Sequence, residues 1–97
     1  GITNKGSIYS DLVRLLNHVK GARGVLTIQV FAHKKTGHLK GIEINPRFGG
    51  GFPLSNAAGA KYAEYIIKEY ILNQQIDFHD KWKDKLKMTR YDKAIYF

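Results

Sequence analysis

The chain has no cysteine among its 97 residues. Disulfide bonds and thiolate-ligated metal sites are therefore excluded, and this absence favours a cytoplasmic location. Long apolar runs are also missing, since no stretch approaches the roughly 20 residues that a bilayer-spanning helix needs. The first residues carry no signal-peptide pattern. We therefore expect one small globular domain with no membrane partner.

Acidic residues are scarce, with 8 Asp and Glu against 16 Lys and Arg and a formal net charge of +8. A basic chain suits nucleic acid, the phosphates of a nucleotide, or an acidic companion within a larger protein. The positive charge is densest over residues 81–93, where three aspartates interrupt it. We interpret that run as a solvated face.

The segment from residue 24 to residue 51 is predicted to form a β-hairpin followed by a glycine loop. Residues 25–33 and 39–45 are rich in β-branched and aromatic side chains, which favour strands. Residues 35–37 fit a three-residue hairpin loop in which Gly37 takes the left-handed conformation. The second strand ends before Pro46, which cannot donate a ladder hydrogen bond.

The same loop sets the register of the hairpin, in which opposing residue numbers sum to 72. Gln29 then lies opposite Glu43, and Thr27 lies opposite Asn45. Because side chains alternate between the faces of a strand, one face is predicted to be apolar and to meet a core. Its members are Leu26, Ile28, Val30, Ala32, Ile42 and Ile44. The other face holds Thr27, Gln29, Phe31, Gly41, Glu43 and Asn45.

Three side chains of the second face, Gln29, Glu43 and Asn45, bring one carboxylate and two amides together. Burying such groups without partners is costly, and a divalent cation would supply a partner. Mg²⁺ and Mn²⁺ prefer oxygen ligands of this kind. Arg47 follows two residues after Asn45, and its guanidinium suits a phosphate group. The alternative is purely structural, with a Glu43–Arg47 salt bridge and amides paired across the strands.

A run of three glycines follows Phe48, and it could approach a ligand closely, adopt positive φ or expose consecutive amides to an anion. A flexible loop is the alternative. The GxxxxGK[ST] pattern is absent, so this is not a P-loop. Pro53 suits the first turn of a helix over residues 54–60. The N-terminus of this helix is expected to face any ligand that the glycine loop contacts. Gly59 marks a break in the helix.

Two further helices are predicted from apolar positions at helical spacing. The first spans residues 8–19, is capped by Ser7 and ends at Gly21 and Gly24. The second spans residues 61–73, and its buried stripe comprises Ala63, Ile66, Ile67, Tyr70 and Ile71. Residues 88–91 and 94–97 are predicted to form two short strands, or one bulged strand, that returns to the sheet edge. The fold class is α+β, a small, mainly antiparallel sheet with helices packed on one face.

The sequence Glu43-Ile44-Asn45-Pro46-Arg47, with Gln29 fourteen positions before Glu43, resembles the ATP-grasp superfamily. The similarity is greatest to the branch of the carbamoyl-phosphate synthase large subunit, and it covers nearly the whole chain. Further matching segments are Gly49-Gly50-Gly51, Pro53-Leu54, Ala57-Ala58-Gly59 and Met88-Thr89-Arg90-Tyr91-Asp92.

This resemblance implies an ATP-dependent ligase that joins a carboxylate to an amine or ammonia through an acyl phosphate. Its cofactors are ATP and Mg²⁺ or Mn²⁺, and its substrate is a small carboxylate or bicarbonate. By position, the metal ligands are Gln29, Glu43 and Asn45, and Arg47 is the catalytic residue that contacts phosphate. The cofactor- and substrate-binding set is Arg47, Gly49, Gly50 and Asn56.

An ATP-grasp domain also needs an upstream half, which supplies lysines, an adenine hinge and a lid. The resemblance therefore implies that residues 1–97 form the C-terminal lobe of such a domain. The expected partner is the N-terminal lobe of the same protein, and the chain alone is expected to be inactive and prone to self-association. Two alternatives remain open: a basic nucleic-acid-binding module, which is the less favoured, and a non-catalytic interaction or dimerisation domain.

Overall fold

The computed structural model describes all 97 residues, Gly1–Phe97, and has an α+β architecture. Helix α1 (Ser7–Leu16) precedes a two-stranded antiparallel sheet of β1 (Thr27–Ala32) and β2 (Leu39–Asn45). Helix α2 (Phe52–Ala57) follows the sheet. Helix α3 (Tyr62–Ile66) continues directly into one π-helical turn (Ile67–Ile71). The predicted fold class is confirmed.

The hairpin has the predicted register over its inner half, where Gln29 pairs with Glu43 and Thr27 with Asn45. Beyond Gln29 the register shifts by one residue, because Val30 pairs with Gly41. Ile42 is then the extra residue of a β-bulge, which increases the local twist of the pair. The predicted register is therefore correct beside the polar patch and wrong by one residue towards the tip of the hairpin.

The tip of the hairpin differs from the prediction for the same reason. The amide of His33 donates to the carbonyl of His38 at 2.9 Å, so the loop between them has four residues, 34–37, and not three. Gly37 has a φ of 71°, as the loop requires. The bulge at Ile42 absorbs the one-residue difference between the two halves of the hairpin.

Helix α1 is shorter than predicted. Its N-cap is Gly6, and Ser7 is the first helical residue and makes no capping hydrogen bond, so the predicted Ser7 cap is wrong. The helix ends at Leu16, with Asn17 as its C-cap. Gly21 and Gly24 have positive φ in the connection that follows, where they turn the chain towards β1 and do not terminate the helix.

The proline and glycine residues around α2 predict its boundaries more accurately than Ser7 and Gly21 predict those of α1. Pro53 lies in the first turn, as predicted, and the helix ends at Ala57. Gly59 has a φ of 105°, which confirms the predicted break before α3. The second amphipathic helix is present, but its last turn widens to π-helical hydrogen bonding and ends before Asn73, which has a φ of 51°.

The buried core is small and surrounds α2. It consists of Leu54, Ala58 and Ala60, the three buried residues of the chain. The predicted apolar face of the hairpin is only partly covered, since Ile42 and Ile44 are 50% and 55% exposed. The predicted stripe of the last helix is mostly uncovered, because Ile66 is half-buried but the other members are exposed: Ala63, Ile67, Tyr70 and Ile71. The apolar surfaces of the hairpin and the last helix therefore lie outside the core.

Residues 88–91 and 94–97 form no strand, so the predicted return to the sheet edge is wrong. Residues 83–88 instead contact the first residues of the chain, where Ile2 and Lys87 form one isolated antiparallel bridge. The hydroxyl of Thr3 donates to the carbonyl of Lys83 at 2.7 Å, and the ammonium of Gly1 donates to the carbonyl of Met88 at 2.8 Å. No helix is both long enough and apolar enough to cross a membrane.

Candidate functional site

The polar face of the hairpin brings together the three side chains that the sequence selects as metal ligands. Gln29 and Glu43 are cross-strand partners, and such partners lie on the same face of a sheet. Asn45 follows Glu43 by two residues on β2 and therefore shares that face. The bulge begins beyond Gln29, so these pairs keep the regular ladder geometry.

Glu43 is exposed and takes part in none of the three salt bridges of the chain. The structural alternative, a Glu43–Arg47 salt bridge, is therefore not formed. Asn45 is half-buried, and its Nδ2 atom is buried without a hydrogen-bond acceptor. An unpaired buried donor costs about 1–3 kcal/mol, which an oxygen-rich ligand beside Asn45 would offset.

This donor set fits Mg²⁺ that shares its ligands with a phosphate. No three His, Cys, Asp or Glu side chains lie together as a metal centre, so the patch offers one carboxylate and two amides. Mg²⁺ typically takes one or two carboxylates and completes its octahedron with phosphate oxygens and water. We therefore expect the patch to bind the ion weakly without a nucleotide and more tightly with one.

Arg47 is held beside the patch by its backbone. The hydroxyl of Thr27 on β1 donates to the carbonyl of Arg47 at 2.7 Å, and the amide of Arg47 donates to the carbonyl of Asn45 at 2.9 Å. Its guanidinium donates through Nη1 to the carbonyl of Phe48 at 3.2 Å and has no carboxylate partner. The remaining donors of this group suit an anion.

The glycine loop, residues 49–51, joins the patch to α2. None of its glycines has positive φ, so the predicted use of left-handed conformation is wrong here. Gly49 is required for a different reason: a Cβ at this position would lie 2.8 Å from both Cγ2 and Oγ1 of Thr27. Gly50 and Gly51 have no heavy atom within 4 Å of an added Cβ.

Gly49→Ala is expected to lower the free energy of unfolding by about 1–3 kcal/mol, the usual cost of overpacking. Thr27 cannot yield without cost, since its hydroxyl holds the carbonyl of Arg47. Gly50→Ala is the matched control and should change stability by less than about 0.5 kcal/mol. Urea unfolding of both variants checks this, and equal effects would show that the contact with Thr27 is unimportant.

A cleft of about 410 Å³ opens beside the loop. Its lining includes Thr27, Gly49, Gly51, Ser55 and Tyr62. Asn56 is not part of this lining, although the neighbouring Ser55 is, so a role for Asn56 in facing the acceptor substrate stays a prediction. Sequence reasoning did not select Ser55.

Tyr62 is a second cleft residue that the sequence pattern did not single out. Burial raises the pKa of the Tyr62 phenol above its ordinary value, and the nearby phenols of Tyr9 and Tyr65 raise that pKa further. A phenol is neutral at pH 7 with or without this shift, so Tyr62 can donate a hydrogen bond in the cleft although the residue is 40% exposed. Only its helical position was visible in the sequence, because its place in the cleft depends on long-range packing.

Arg90 also reaches the loop, where its Nη1 donates to the carbonyl of Gly50 at 3.2 Å. The two residues are 40 positions apart, so no local pattern could have indicated this contact. Met88-Thr89-Arg90-Tyr91-Asp92 carried part of the family resemblance but no assigned role. The structure therefore places the cationic side chain of Arg90 beside the glycine loop.

Comparisons of the chain with protein-family models, with curated proteins and with solved structures found no match.

Proposed function

We propose that this chain is the ATP- and Mg²⁺-binding portion of an ATP-dependent ligase, similar to carbamoyl-phosphate synthase, that joins a carboxylate to an amine or ammonia through an acyl phosphate. The observation that carries this proposal is the pairing of Gln29 with Glu43, with Asn45 on the same face. Arg47, free of any carboxylate partner, lies two residues beyond Asn45. An oxygen-ligand set beside an available guanidinium suits a metal-bound phosphate.

In this function the chain positions charge and does no covalent chemistry of its own. Gln29, Glu43 and Asn45 supply oxygen ligands, and Arg47 faces phosphate oxygens. When bound, Mg²⁺ or Mn²⁺ would neutralise charge on the phosphates of ATP. Gly49 and Gly50 leave room for the acceptor, a small carboxylate or bicarbonate, to approach the backbone. Fixed donors of this kind stabilise developing charge because they are oriented before the reaction begins.

The proposal includes a second lobe from the same, cytoplasmic protein. Support comes from the exposed apolar faces of the hairpin and the last helix, represented by Ile44 and Ile71. Exposed apolar faces on a strand and a helix are typical of regions that pack against another body. Without that lobe we expect no catalysis, and we expect a tendency of the chain to self-associate.

A second candidate function, nucleic-acid binding, is favoured by one observation. Phe31 is exposed on β1, and its cross-strand partner is the exposed Lys40. An aromatic side chain beside a cation on a sheet face can stack on a base and hold a phosphate. The two functions differ at Glu43, because a carboxylate holds a metal ion but repels a polyanion.

Isothermal titration of the 97-residue chain with MgATP tests the proposal. We expect affinity weaker than the low micromolar range, since one lobe supplies the metal ligands but does not enclose the nucleotide. Glu43→Ala should reduce this weak, Mg²⁺-dependent binding, whereas Glu69→Ala, at an exposed position in the last helix, should not. Low-micromolar binding, or ATP hydrolysis that Glu43→Ala abolishes, would show a complete active unit and contradict the two-lobe proposal.

A further inference from the structure

Two guanidinium groups flank the glycine loop. Arg47 Nη1 donates to the carbonyl of Phe48, and Arg90 Nη1 donates to the carbonyl of Gly50, both at 3.2 Å. A chain extends by at most about 3.6 Å per residue, so these two carbonyls lie within about 7 Å of each other. The two guanidinium groups are therefore hydrogen-bonded to the residues that precede and follow Gly49.

Neither arginine is neutralised by the chain. The three salt bridges join Arg14 to Asp11, Arg23 to Glu69 and Lys68 to Glu64. A guanidinium carries five N–H donors, and a single bond to a carbonyl leaves most of them free. Both groups can therefore bind a planar or tetrahedral oxyanion through parallel hydrogen bonds.

The backbone between these arginines offers further donors. The amides of Gly49, Gly50 and Gly51 donate to no backbone or side-chain acceptor in the chain. Gly50 and Gly51 are exposed and have open space where a Cβ would stand, whereas Gly49 packs against Thr27. Free backbone amides carry partial positive charge, which favours a nearby anion.

The position of Arg90 is set by contacts with residues 1 and 2. Met88, two residues earlier, donates its amide to the carbonyl of Gly1 at 2.9 Å, and Lys87 pairs with Ile2 in an isolated antiparallel bridge. These attachments hold the backbone that leads to Arg90. The guanidinium is thus directed to the loop by the fold, although residues 88–97 have no regular secondary structure.

We propose that Arg90, together with Arg47 and the amides of residues 49–51, forms an oxyanion-binding site for the carboxylate or phosphate group of the acceptor substrate. This inference rests on the proposed ligase function and assigns a residue that binds substrate in it. The shared chemistry is a small oxyanion with two or three oxygens on one atom. A guanidinium recognises both forms, because its paired N–H groups match the spacing of two such oxygens.

The test is an NMR titration of the ¹⁵N-labelled chain with inorganic phosphate and, separately, with acetate, at constant ionic strength and without metal or nucleotide. The amide signals of Gly49, Gly50 and Gly51 should shift and saturate with at least one anion. Tighter binding of phosphate would identify a phosphoryl site, and tighter binding of acetate a carboxylate site. Arg90→Gln should weaken the binding about fivefold or more, the effect of losing one charge-assisted hydrogen bond.

Lys35→Gln, at the tip of the hairpin, is the matched control, because it removes the same charge far along the chain from the loop. Its titration should match that of the unmodified chain. Equal weakening in both variants, or an unchanged Arg90→Gln titration, would overturn the assignment, as would glycine signals that fail to shift. These outcomes are independent of metal binding at Glu43, so a failure here is distinguishable from a failure of the proposed function.

Discussion

Leu54→Ala is expected to remove most of the stability of this chain. Leu54 is 8% exposed and is the only large side chain among the three buried residues. Its side chain lines a cleft of about 280 Å³ together with Trp82, and a Cβ added at Gly1 would lie 3.3 Å from its Cδ2. A buried Leu→Ala substitution costs about 2–5 kcal/mol. Small domains have free energies of unfolding near the lower end of about 5–15 kcal/mol, so this loss approaches the total stability of the chain.

Urea unfolding followed by the fluorescence of Trp82 measures this loss. Leu15→Ala is the matched control, because Leu15 lies on α1 and is 57% exposed. We expect the control to change the free energy of unfolding by less than about 0.5 kcal/mol. If the two variants lost the same stability, the small core around α2 would not be what holds the fold together.

The hairpin and its polar patch could be predicted because two local signals agree. Alternation of side chains selects the face, and Gly37 at the turn limits the register to one or two choices. The bulge was not predicted, although a glycine within a strand often marks one. Gly41 is such a glycine, and it pairs with Val30 where the register shifts.

Burial could not be predicted to the same degree. Helical spacing identifies the apolar side of a helix but not what covers it, so Ile67 and Ile71 were wrongly expected to be buried. The same limit applies to the hairpin, where the pattern grouped Ile28 with Ile44 but only Ile28 is half-buried. These exposed faces also suit the alternative of a non-catalytic interaction domain.

Arg90 could not be placed because its contact depends on the whole fold. Strand propensity predicted an edge strand over residues 88–91, yet the backbone of Met88 is occupied by Gly1. Pairing with residues 1 and 2 thus replaces pairing with the sheet and leaves Arg90 directed to the glycine loop. Contacts between residues that are far apart in the chain cannot be recognised from local periodicity.

The metal patch gives the second large expected effect, because one carboxylate carries all of its negative charge. Glu43→Gln keeps the size and shape of the side chain but removes that charge, and a hard divalent cation binds a neutral amide much less well. We expect this substitution to abolish selective metal binding at the hairpin while leaving the fold intact, since Glu43 is exposed and forms no salt bridge.

Paramagnetic line broadening by Mn²⁺ in the ¹⁵N spectrum tests this claim most directly. In the unmodified chain, the amide signals of Gln29, Glu43 and Asn45 should lose intensity first, and added ATP should increase the loss. Glu43→Gln should remove this selectivity, and Glu69→Gln, with the same change of charge on the last helix, should keep it. Broadening that begins elsewhere, or that Glu43→Gln leaves unchanged, would contradict a metal site on the hairpin.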